Sequence, residues 1–92
     1  MSVFTGGDTA RMREIAGILD DLARELSSSR QSLDASVGSS TEFWVGDDAN
    51  EFRGRWDSEM AVTLSHISTE VTEVAARLRS EAASQDAVSR GV

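Results

Sequence analysis

Phe43-Trp44-Val45-Gly46 sits almost at the midpoint of this 92-residue chain and divides it into two helix-forming halves. Upstream, Gly38-Ser39-Ser40-Thr41 is a cluster that ends helices and opens turns. Downstream, Asp47 and Asp48 precede a long apolar-periodic run, as suits a helix N-terminus with its partial positive charge. The stretch therefore reads as a bend over residues 38–46, with Gly38 as a left-handed cap for the first helix. A bend needs Gly and polar residues, not a Phe-Trp pair. Those rings must pack against something or be offered to a partner.

Working outward, each half carries a seam with alternating three- and four-residue spacing. In the first it runs Met12, Ile15, Leu19, Leu22, Leu26, Ser29, Leu33 and Ser36, with Ile18 beside it. In the second it runs Phe52, Trp56, Met60, Leu64, Ile67, Val71, Val74 and Leu78. These patterns predict helices over 8–37 and 47–84, a flexible arm over 1–7 and a tail over 85–92. Asp8 or Thr9 is the expected cap of the first helix, and Asp48 with Glu51 suggests a capping box for the second. The fold class is all-α, a single antiparallel two-helix hairpin.

If the halves fold back about residue 43, Leu26 faces Met60, Leu22 faces Leu64, Leu19 faces Ile67 and Ile15 faces Val71. Ser29, the small polar member of its seam, then faces Trp56, as close packing demands. A third stripe of the second helix holds only small residues: Gly54, Ser58, Ala61, Ser65, Ser68, Thr72 and Ala75. It reads either as a plain solvent face or as a second, close-approach helix interface. Beyond Arg79 the second helix outruns the first, so Ser80 to Val92 is expected to lack an intramolecular partner. One seam is a marginal core for a hairpin of this size. Pairing with a second hairpin into a four-helix-bundle dimer is therefore expected, with Ile18 and Val62 available to it.

Composition excludes several function classes. A formal net charge of −7 argues against nucleic-acid binding. Every one of the nine basic residues is Arg, and there is no Cys for disulfide or thiol chemistry. No stretch reaches the roughly 18–20 apolar residues of a membrane span. The N-terminus lacks the basic and apolar regions of a cleaved signal peptide. His66 is the sole His, and with Glu70 it falls short of a metal site. Asp20-Asp21 and Asp47-Asp48 point apart on a helix, so neither is an acid pair. Arg53 and Arg55 each have a carboxylate four residues away and read as a solvated face. No enzyme activity and no cofactor are expected.

Trp44-x-Gly46 followed by Ala49, Phe52 and Trp56 resembles the central signature of the WXG family, small helical hairpins exported by type VII secretion systems of Gram-positive bacteria. The motif covers residues 43–56, and the architecture covers the whole chain. The resemblance implies a substrate or co-secreted partner, exported without cleavage, that acts through helix-helix dimerisation. It also implies recognition by the secretion ATPase through the bend, with Trp44 and Gly46 carrying it. Alternative readings are a chaperone or adaptor for a larger toxin with a helical targeting domain, or a membrane-active effector after export. The family's tail signal, Tyr-x-x-x-Asp/Glu, has no counterpart, since the chain holds no Tyr and offers only Ala82-x-x-x-Asp86. The partner, in a homodimer or a heterodimer, is left open by this departure.

Overall fold

The computed structural model describes residues 6–90 and is all-helical, with no strand among them. Two long helices lie antiparallel in a rod of 67 × 17 × 17 Å. Helix α1 spans Gly6–Ser39 and closes in a 3-10 turn, Ser40–Glu42. The second arm begins as α2, Asp47–Arg55, passes through a π-helical turn, Trp56–Met60, and continues as α3, Ala61–Ser89. Most of the expected 1–7 arm lies outside the described residues, but Gly6 and Gly7 are already helical.

Several boundaries differ from the sequence reading, each for a local reason. Gly38 is not a left-handed cap, because α1 runs through it and the only positive φ among the described residues is at Gly46. The α1 carbonyls are satisfied instead by tightening into the 3-10 turn, where the Phe43 and Trp44 amides both donate to the Ser40 carbonyl at 3.2 and 2.8 Å. Asp48 does not cap α2 either. Gly46 occupies that position and makes no side-chain cap bond. At the π turn the Ala61 amide reaches back five residues to the Trp56 carbonyl. One extra residue is thereby inserted, so the faces of α2 and α3 are offset.

The largest correction concerns which stripe is buried. The line of contact between α1 and α3 is Thr9, Ala16 and Ala23 against Ala61, Ala75 and Ala82, recurring at heptad spacing, with Ser68 between. Part of the small-residue stripe is thus the contact within the hairpin, and neither a solvent face nor an outside interface; Gly54, Ser58, Ser65 and Thr72 are exposed. Alanines allow the helix axes to approach closely, which leaves no room between them for large side chains. Leu19, Leu26, Leu64 and Val71 are consequently half-buried, and Ile15, Ile18, Leu22, Phe52, Met60 and Ile67 are exposed by more than a third of their surface. Trp56, 5% exposed, is the one large apolar residue among the described residues that is buried.

The register also shifts. Ser29 does not face Trp56, whose indole Nε1 donates to Asp34 Oδ1 at 2.6 Å. Ser27 and Ser68 hydroxyls lie 3.2 Å apart, and Ser68 also donates to the Ala23 carbonyl. Pairing of Ser40 with Arg53 shows the cause: α2 projects beyond the end of α1, so the connection climbs along it before turning back. The same offset brings the far ends level. Arg79 pairs with Asp20 at 2.6 Å, and Asp86 accepts from Thr9 Oγ1 at 2.7 Å and from Arg13 at 2.6 Å. Ala82 is fully buried there, so the stretch after Arg79 does have an intramolecular partner and stays helical to Ser89.

The Thr9 hydroxyl, and after it the Arg13 guanidinium, hold the Asp86 carboxyl below its ordinary value of 3.8. A depressed carboxylate contributes stability above its unfolded-state pKa, lost as pH falls through the folded value. The clasp is therefore complete at neutral pH and opens only in acid, as the pH falls through that lowered value. Hydrogen exchange should show residues 80–90 losing protection in acid before the middle of α3 does, and Asp86→Asn should reproduce that pattern at pH 7.

Candidate functional site

Two features stand out from the helical frame: the bend and one broad apolar side. At the bend, the Arg53 guanidinium acts as a strut. Its Nη1 donates to Ser40 Oγ at 3.0 Å and to the Trp44 carbonyl at 3.1 Å, while Nη2 donates to Asn50 Oδ1 at 3.1 Å. Sequence reasoning paired Arg53 with Asp57 across one helical turn and missed this role. Polar groups left over by the end of α1 are what draw the guanidinium away. The Trp44 and Phe52 rings meet at 5.5 Å with a 44° tilt. Phe52 therefore leaves the second seam and serves the bend. Trp44 remains 39% exposed, and Phe43 and Val45 beside it are each 79% exposed. The structure thus holds Trp44 against Phe52 and displays its neighbours.

Gly46 makes this geometry possible. Its φ of 116° with ψ of 178° lies in a region that only glycine visits readily. An added Cβ meets nothing within 4 Å, so the penalty for replacing it is backbone strain alone. Gly46→Ala should cost about 1–3 kcal/mol in urea unfolding. Gly38→Ala, in helix interior with equal open space, should instead stabilise by roughly 0.5–1 kcal/mol.

The apolar side follows from helix geometry. At about 100° per residue, Ile15, Leu19, Leu22 and Leu26 fall to one side of the Thr9–Ala16–Ala23 line. Met60, Leu64, Ile67, Val71 and Val74 fall to the corresponding side of the Ala61–Ala75–Ala82 line. Because the helices are antiparallel, both flanks lie on the same broad face of the hairpin. The residues expected to pack the seam are thus brought together, but at its edge, where they remain half-exposed. Ile18 stands behind this face on α1 and Val62 behind it on α3. A crevice of about 370 Å³ opens at the π turn, lined by Trp56, Glu59, Met60, Thr63 and Leu64. The opposite face is polar, carrying Asp20, Arg24, Ser27, Gln31 and Thr72.

A third hollow, beneath the bend, is lined in part by Arg30, Asp34, Arg53, Asp57 and His66. Its charges are largely engaged, since Asp34 takes both the Trp56 indole and Arg30, and Arg53 serves the bend. His66 is exposed there. Among the described residues no group of three or more His, Cys, Asp or Glu is placed to hold a metal ion. No helix among them is long and apolar enough to cross a membrane. The arrangement can bind through apolar area and displayed aromatics. Comparison with family models, with curated proteins and with solved structures finds no match for the chain, so its likeness to the WXG family rests on Trp44, Gly46, Ala49, Phe52 and Trp56 in a helical hairpin.

Proposed function

We propose that the chain is a non-enzymatic pairing protein whose apolar face is covered by a second helical hairpin, forming a four-helix bundle. The observation that carries this reading is the separation of the two stripes. Apart from Trp56, the hairpin closes on alanines and leaves its large aliphatic residues half-buried or exposed along one face. The apolar residues on this face span about 20 Å of each helix across a rod 17 Å wide, a patch of about 350 Å². Exposed apolar patches of that size mark interaction sites. With the WXG resemblance, the pair is a type VII secretion substrate or co-secreted complex, and the bend is the part offered to the secretion ATPase. Support for the bend comes from its exposed Phe43 and Val45 around a Trp44 that packs on Phe52 and stays 39% exposed.

The test is export from a Gram-positive host with an intact type VII system. The tagged chain should accumulate in the medium and disappear from it when the secretion ATPase gene is deleted. Trp44→Ala should leave helical circular dichroism nearly intact yet lower the exported amount several-fold. Equal export with and without the ATPase rules the reading out.

A further inference from the structure

We infer that Met60 is a peroxide-reactive site, and that its oxidation to the sulfoxide turns the apolar face from binding to non-binding. The consequence for binding rests on the pairing proposed above; the chemistry at sulfur does not. With no Cys in the chain, the thioethers of its three methionines are the only sulfur groups open to two-electron oxidation. Met1 lies outside the described residues, Met12 is half-buried and Met60 is 38% exposed. Access of the oxidant governs the rate, so of the two described methionines Met60 reacts first. Its position makes that reaction matter. Met60 is the last residue of the π turn and lines two hollows at once. One is the crevice of about 370 Å³ that it shares with Trp56 and Leu64. The other, of about 280 Å³, it shares with Phe52, which in turn meets Trp44. The thioether therefore joins the apolar face to the aromatic bend.

In the reaction one oxygen of hydrogen peroxide passes to the Met60 sulfur as the O–O bond breaks. Sulfur is oxidised by two electrons, the peroxide is reduced, and water leaves with both hydrogens. A flexible apolar side chain becomes a polar one carrying a strong hydrogen-bond acceptor. Arg55 lines the same hollow as Met60 and Phe52. Its Nε donates to Glu59 Oε2 over a long 3.4 Å, and both side chains are exposed, so the guanidinium can turn to the sulfoxide oxygen instead. Whatever covers the face must then bury a sulfoxide and a guanidinium where it met hydrocarbon before, and that desolvation opposes binding. Ile15, Leu22, Ile67 and Val74 on the same face are hydrocarbon side chains that peroxide leaves unchanged.

The experiment treats the full chain with hydrogen peroxide and maps the added oxygen by peptide mass spectrometry. Met60 is expected to oxidise about threefold or more faster than Met12. Binding of Nile red, a neutral apolar dye, should fall several-fold in the oxidised wild type and recover after treatment with methionine sulfoxide reductases. The Arg55 Nε–H resonance should shift on oxidation. Met60→Leu keeps the apolar volume, so its dye binding and its Arg55 resonance should be indifferent to peroxide. Equal oxidation of Met12 and Met60, or undiminished dye binding by chain fully oxidised at Met60, overturns the inference and leaves the pairing proposal standing. Loss of the helical circular dichroism signal on oxidation makes Met60 structural and overturns it as well. A dye that binds neither the reduced nor the oxidised chain removes the exposed apolar face, and the pairing proposal falls with it.

Discussion

Trp56→Ala is expected to lower stability by about 3–5 kcal/mol, with a fall in the melting temperature above ~10 °C. The indole is the largest side chain inside the hairpin and is 5% exposed. It also closes the bend end by donating to Asp34 Oδ1 at 2.6 Å, while Arg30 holds the other carboxylate oxygen at 2.6 Å. Packing and hydrogen bonding are separable here. Trp56→Phe keeps most of the apolar volume and removes only the donor. Asp34 retains Arg30 and partial solvent contact, so that variant should lose about 1 kcal/mol. Thermal melts followed by far-ultraviolet circular dichroism distinguish the two. If Phe proved as damaging as Ala, the Asp34 bond and not the packing would hold the end together.

The second large effect concerns the alanine line. Ala75 is fully buried where α1 and α3 approach, and Leu in its place must push the axes apart. Ala75→Leu should cost about 1–3 kcal/mol, although it adds apolar volume and keeps a good helix former. Ile67→Ala, which deletes apolar volume from a side chain 41% exposed, should cost the isolated hairpin less than about 1 kcal/mol. A simple count of hydrophobic content orders these two variants the other way. Urea unfolding at low protein concentration checks the order. If Ile67→Ala were the worse of the pair under those conditions, the large apolar stripe would be the true interior.

Helicity, the division into two arms and the place of the bend were legible in the sequence, because they depend on spacing within a few residues. Seams at three-and-four spacing, the absence of Pro and the Gly-Ser cluster before Phe43 all act locally. Gly46 was legible as the bend glycine for the same reason, and its φ of 116° gives that reading its physical content. The motif residues were legible too, but not all their positions: Trp56 is inside, as expected, while Phe52 turned to Trp44.

The amino-acid sequence by itself determined that this protein is a helical hairpin with a two-sided arm. Only the tertiary structure decided which side is in. Large and small stripes share the same period, so periodicity cannot rank them. The choice depends on how near two axes can come, and alanine against alanine permits the closer approach. Register escaped for a related reason: it is set by groups distant in the chain. Arg53 ties the connection to α2, the π turn slips the second arm by one residue, and Thr9 and Arg13 meet Asp86 at the far end. Each of these contacts exists only once the two arms lie side by side.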